Sequence, residues 1–243
     1  MHNRILLAGV VFSLFTPVSQ GQQNLLPETV RPLVDNNPPA PESKRILGIV
    51  PNYRTSPTLL NYEPLTTRDK FKVAADDAFD RGTVGLAAMF AGESQLSNSN
   101  RNFGQGTVGF GKYLGTAYTD FAIGDYMTEA IFPSVLHQDP RYFRRGTGSG
   151  WGRFGYSVGQ ILLTHSDTGR TQFNYSEVLG NSVAVAISQS YYSNNRTVSD
   201  AASELTLQLA VDAAANVLKE FWPDLERKFS RKHRGPNGAS GIN

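Results

Sequence analysis

The segment FNYSEVLGNSVAVAISQSYY, Phe173 to Tyr192, constrains the fold of this chain more than any other stretch. Asn174 stands where a helix N-cap accepts a backbone N–H, and Glu177 lies at the third helical position, from which a carboxylate can reach back. Phe173 is placed to pack on Val178 as a hydrophobic staple. Two independent start signals coincide, which predicts a helix from Asn174 to Tyr192. No residue between Val178 and Tyr192 is charged, so this helix is expected at the centre of a bundle. It is shorter than the roughly 20 apolar residues that a transmembrane helix needs.

Helical signals recur along the chain. Thr66 with Asp69 three residues on forms a capping-box pattern, predicting a first helix from about Thr67 through LAAMFAGES. Further helices are expected over 105–136, 150–163 and 199–229. In the last, Leu207, Ala210, Val211, Ala214, Leu218 and Phe221 share one arc, read as the face that docks on the core. Glu204, Gln208, Asp212, Asn216 and Lys219 share the arc read as solvated. Pro223, in WPD, is expected to interrupt this helix by removing a donor and crowding the preceding turn. Alternating polarity is nearly absent, apart from ILGIVPNYRT (Ile46 to Thr55), which suits one short strand or extended segment. The expected fold class is all-α, a compact bundle of about five helices. Glycine pairs at Gly111 and Gly115 and at Gly155 and Gly159, spaced i to i+4, suggest close Gly/Ala helix packing.

The ends of the chain bear on its compartment. Arg4 precedes an apolar run from Ile5 to Phe15, followed by Ser19 and Gly21, the pattern of a secretory signal peptide over 1–21. An extended, Pro-rich disordered arm is expected over 22–44, a single helical domain over 45–230, and a disordered basic and Gly-rich tail over 231–243. The chain has no cysteine, which excludes disulfides, thiolate catalysis and thiolate metal ligation. Lys and Arg total 23 against 21 Asp and Glu, a balance that excludes bulk nucleic-acid binding. The expected setting is exported, periplasmic or peripherally attached to the envelope, with no single transmembrane span in the mature chain.

Chemistry could reside in LHQDPRYFRRG, residues 136–146. A functional reading takes Glu129, His137 and Asp139 as general acid/base groups and Arg141, Arg144 and Arg145 as an anion clamp, because guanidinium forks match phosphate or carboxylate. A structural reading makes Asp139 a cap with Pro140 at the first position of a turn. In it, Tyr142 and Phe143 plug the core, and the arginines neutralise Asp125 and Glu129 on the preceding helix. The residue types favour the structural reading, since only His137 has no part in it. The four histidines, 2, 137, 165 and 233, lack metal-ligand spacing. The G-x-G-x-x-G in GQGTVGFGKYLG lacks the preceding strand a dinucleotide fold requires. No cofactor or metal is expected.

Taken together, ILGIVPNYRT, FGQGTVGFGKYLGTAYTD, EAIFPSVLHQDPRYFR, FNYSEVLGN and NVLKEFWPD resemble a family of exported bacterial cell-envelope proteins to which no activity is attached. The resemblance runs from Ile46 to Asp224; it implies an envelope setting and carries over no site residues. The expected role is a non-enzymatic structural or interaction protein whose partner is the envelope surface or another envelope protein. The alternatives are an envelope hydrolase or anion-binding protein using Glu129, His137, Arg141 and Arg144, and an oligomeric membrane-associated helical assembly.

Overall fold

The computed structural model describes residues 44–48, 50–56, 62–192 and 197–233, with side chains as far as Phe229. All belong to the second of two units into which the chain divides after Pro38. The expected signal peptide, nearly all of the arm and the tail beyond His233 lie outside the described residues.

The described residues are mostly helical, with small sheets of which the sequence reading foresaw only a short strand or extended segment at Ile46 to Thr55. Three two-residue strands, β1 (Arg45–Ile46), β2 (Val50–Pro51) and β3 (Thr55–Ser56), precede α1 (Thr67–Ala78) and α2 (Arg81–Leu96). A single helix was expected here, but the chain breaks at Asp80. Asp80 caps α2 by accepting from the Gly82 amide, and its carboxylate is held by Arg45 and Tyr53. The Thr66–Asp69 capping box is complete.

The long helix expected over 105–136 runs as α3 (Gly106–Asp125), a π turn (Tyr126–Ile131) and α4 (Phe132–Val135). Pro133 has no N–H to return to the Glu129 carbonyl, and the chain widens in the turn before it. Two further short strands, β4 (Gln138–Asp139) and β5 (Tyr142–Phe143), lead to α5 (Gly150–Gly159), which Ser149 caps. The segment after α5, expected as helix to 163, instead forms the hairpin β6 (Leu163–Ser166) and β7 (Thr171–Phe173). β4, β6 and β7 form an antiparallel sheet, and β3 pairs with β5 in parallel. These strands are too short to show a period of two in sequence.

α6 (Tyr175–Tyr191) and α7 (Val198–His233) complete the fold. Helix α7 runs through Pro223 rather than stopping there. Arg153 of α5 donates to the Glu220 carbonyl, in the turn that the proline crowds, at 2.6 Å. The helix also covers 231–233, which had been assigned to the tail.

Small residues do pack the core, but not at the expected glycines. Ala74, Ala78, Ala87, Ala91 and Ala130 are wholly buried. Gly111, Gly115, Gly155 and Gly159 have open space where a Cβ would stand. The close approach falls at Gly180 of α6, where a Cβ would lie 2.8 Å from Thr128 Cγ2 and 3.1 Å from the Met127 carbonyl carbon. Gly109, the last glycine of the G-x-G-x-x-G, sits against the Gly104 carbonyl oxygen, and the preceding residues form a 3-10 turn, not a strand.

The arcs of α7 are reversed from those read in sequence. Lys219 and Glu220 are buried, and Asp212 lies among the interior carboxyls. Every exposed residue of α7 from Ala202 to Leu225 is uncharged, and Leu207 is 63% exposed. In α6, Ser176, Glu177, Asn181 and Ser188 are buried, whereas Tyr175, Leu179, Val183 and Ala186 face outward. α6 is therefore a wall whose inner face is polar apart from Gly180 and Val185, not an apolar centre.

Candidate functional site

The interior between α1, the π turn, α6 and α7 is occupied by charge. Arg54 enters it from the turn before β3, whose parallel pairing with β5 holds the backbone through a Tyr142 N–H to Arg54 oxygen bond of 2.8 Å. Its guanidinium lies 3.3 Å from Glu129 Oε1 on the π turn and 3.3 Å from Glu177 Oε2 on α6, and it donates to the Pro140 carbonyl. Burial opposes its charge, but the Glu129 and Glu177 carboxylates beside it outweigh that and raise its pKa.

Glu177 was expected to close a capping box with Asn174. Asn174 does cap α6, accepting from the Glu177 amide at 3.2 Å. The Glu177 carboxylate, however, turns inward to Arg54 and to Asn181 Nδ2. A buried cation attracts it more strongly than a backbone N–H.

Around this pair stand Asp77, Asp125 and Asp212, with Lys219. The carboxyls of Asp77 and Glu129 influence each other directly, as do those of Asp212 and Glu177. Asp77 Oδ1 and Glu129 Oε2 meet no hydrogen-bond partner among the described residues, which disfavours charge on both acids. Burial first, and the Asp77 carboxylate second, push Asp125 and Glu129 well above the usual carboxylate range. Burial and the Glu177 carboxylate push Asp212 up to about 8. Burial and the nearby Arg54 lower Lys219. The interior thus holds five carboxyls, Asp77, Asp125, Glu129, Glu177 and Asp212, against two cations, Arg54 and Lys219.

A small cleft reaches this network at Arg54 and Glu177, with Asp139, Arg141, Thr164 and Asn216 on its walls. Its free space, about 20 Å³, admits a water molecule rather than a substrate.

The loop 136–146 proves to be closed on itself. Asp139 accepts from the Arg141 amide at 2.9 Å, an Asx-type turn across Pro140, and pairs with the Arg141 guanidinium at 2.6 Å. The Tyr62 hydroxyl donates to the same carboxylate at 2.8 Å. Asp139 thus does cap a turn, although it lies in a strand and no helix follows. Tyr142 and Phe143 are buried as expected.

The arginines do not serve Asp125 and Glu129 as expected. Arg141 is engaged by Asp139. The Arg145 guanidinium lies over the Tyr156 ring, and the Arg144 amide donates to the Ser56 carbonyl. Arg54, missed in the sequence, takes their place.

The proposed acid/base group does not converge either. Glu129 faces Arg54 and Asp77, and Asp139 faces Arg141 and Tyr62. His137 has φ +53 and a side chain 84% exposed, its Nδ1 3.9 Å from Asp167. Its left-handed backbone ends α4 and leaves the imidazole in solvent. Among the described residues no group of His, Asp and Glu could hold a metal ion.

A second buried centre is Glu220 on α7. It accepts from the Tyr142 hydroxyl at 2.6 Å, the Arg145 and Gly146 amides, and Arg153 Nε at 2.7 Å. Burial disfavours its charge, but these donors hold the carboxyl below its usual range. Arg153 continues to Asp224 at 2.5 Å. This centre ties α5, the loop and α7 together, and no position around it is left for a ligand atom.

Neither Arg54 nor Glu220 was singled out in sequence. The available signal was the polar arc of α7, which had been turned the wrong way. No family model, curated protein or solved structure matches the chain.

Proposed function

We propose that this is an exported helical protein of the bacterial envelope, without a catalytic role, that acts by contact through the apolar outer faces of α6 and α7. The observation that carries this reading is the reversal of α7: Asp212, Lys219 and Glu220 turn inward, and the exposed residues from Ala202 to Leu225 carry no charge. Exposed apolar surface on this scale marks a contact surface. Ionisable groups packed inside an apolar exterior are the arrangement favoured next to lipid. No helix among the described residues is long and apolar enough to cross a membrane, so the contact is lateral or interfacial. The leader pattern and the resemblance to exported envelope proteins supply the compartment.

Fractionation of cells expressing the full chain with its own leader tests the reading. The parent should sediment with the envelope and be released by detergent but not by high salt. Leu207→Asp with Leu218→Asp should move it to the soluble fraction with an unchanged far-UV spectrum. A parent that is soluble and monomeric would overturn the proposal.

An anion-binding role is the second reading, favoured by Arg54 and Arg141 on the wall of one cleft. Both cations already face carboxylates.

A further inference from the structure

We infer that the outward face of α6 pairs with the same face of a second copy of the chain, the two helices antiparallel, a reading that rests on the contact role proposed above and names its partner. The exposed residues of α6 are Tyr175, Leu179, Val183, Ala186 and Ser190, and no others. At 100° per residue they fall within an arc of about 80°, and from Tyr175 to Ser190 they run about 22 Å. From Leu179 onward the spacing alternates four, three, four, the seam of a coiled coil. Before the helix start, the Phe173 ring lies 5.0 Å from the Tyr175 ring, and Phe173 stands opposite Leu163 in the β6–β7 hairpin, so these two exposed side chains extend the same seam.

Size and charge select the occupant. The seam carries no charge and tapers, from two aromatic rings at its start to an alanine and a serine at its end. Under a two-fold axis between Leu179 and Val183, Tyr175 of one copy meets Ala186 of the other, Leu179 meets Val183, and Phe173 meets Ser190, so that large residues face small ones at both ends. A closed dimer needs a self-complementary patch of this kind. A parallel pair would set ring on ring at one end and leave a gap at the other. An arc this narrow is the seam of a helix pair. A helix lying on lipid would also carry cations on its polar face, and α6 contains no lysine or arginine. At about 200 Å² for a whole aromatic side chain, the seam with its half-buried flanks Ser182 and Ile187 offers roughly 500 Å² per copy. Two copies cover about 1,000 Å², the lower bound of a specific interface, so the pair is reversible and forms at micromolar concentration.

The test follows the full chain without its leader by sedimentation velocity from about 1 to about 200 μM. The expected result is a monomer–dimer equilibrium within that range. Val183→Arg sets two guanidinium groups together near the axis and should weaken pairing by at least about a hundredfold with an unchanged far-UV spectrum. Leu207→Asp with Leu218→Asp, on α7, should leave pairing unchanged. Because the chain has no cysteine, single cysteine substitutions report orientation by oxidative cross-linking. Val183→Cys, beside the axis, should form a disulfide between copies. Ser190→Cys should not, since its two sites stand roughly 26 Å apart along an antiparallel pair.

A chain that stays monomeric across that range, with Val183→Cys not cross-linked, would overturn the pairing; if it still sediments with the envelope, the contact reading stands. A dimer that Val183→Arg leaves intact and the α7 substitutions dissociate would overturn it in favour of α7 as the interface. Equal cross-linking of Val183→Cys and Ser190→Cys would overturn the antiparallel arrangement. A monomer that also stays in the soluble fraction would end both proposals.

Discussion

Asp77 on α1 and Glu129 on the π turn bring two buried carboxyls together, and burial raises the pKa of both. Arg54 compensates Glu129 from one side, while Asp125 adds a further acid from the other. The folded state therefore favours the protonated form of these acids, and that preference enters the stability of the fold.

That core makes stability depend on pH in a defined direction. Unfolded carboxyls titrate near 4, whereas Asp77, Asp125, Glu129 and Asp212 are all raised in the folded state, Asp212 to about 8. Between these limits the folded state binds more protons than the unfolded one, so stability falls as pH rises from about 4 towards 8. The urea midpoint should drop steadily from pH 5 to pH 8. Asp212→Asn should flatten the drop and raise stability at pH 8 by roughly 1 kcal/mol or more. A midpoint that rises with pH would show that the acids are ionised in the fold.

Arg54 is the cation shared by Glu129 and Glu177. Arg54→Met should cost about 3 to 5 kcal/mol, because it leaves buried carboxylates without a counter-charge. The loss should exceed that of any single change in the 136–146 loop. Adding Glu129→Gln should restore part of it, as a double-mutant cycle in urea would show.

The glycines provide an opposed pair. Gly180→Ala would drive a Cβ into Thr128 and the Met127 backbone, and overpacking of that kind costs about 1 to 3 kcal/mol. Gly115→Ala, with open space around it, should gain up to about 1 kcal/mol from helix propensity. Melting temperatures of the two variants should therefore move in opposite directions.

What could be read in sequence is what lies within one turn of chain. Thr66 with Asp69 and Asn174 with the Glu177 amide are donor–acceptor pairs three residues apart, and both caps form. The break at Asp80 had the same kind of signal, an aspartate two residues before Gly82. The facing of α7 is different in kind. Its period shows that Leu207 and Asp212 lie on different arcs without saying which arc meets water. That choice is made by partners far along the chain: Arg54 is 123 residues from Glu177. The glycine pairs misled for the same reason, since spacing shows a permissive stripe and not the element that comes close to it.

The loop QDPRYFRR offers the last discrimination. The Asp139 carboxylate is fully buried and paired with Arg141, which lies over the Tyr62 and Phe143 rings at 5.6 and 5.1 Å. Arg141→Ala removes a charge-assisted bond and the lid over two aromatic rings, but leaves Asp139 the Tyr62 hydroxyl and one backbone amide. The expected loss is about 2 to 3 kcal/mol, in the range for a hydrogen-bonded charge rather than a stranded one. Arg145→Ala should cost well under 1 kcal/mol, because the Arg145 contribution to Glu220 is its backbone N–H, which alanine keeps. Unfolding of both variants in urea, with and without phosphate, separates this turn from an anion clamp. Phosphate should leave every midpoint unchanged; a phosphate-dependent rise in the parent that disappears in Arg141→Ala would establish anion binding instead.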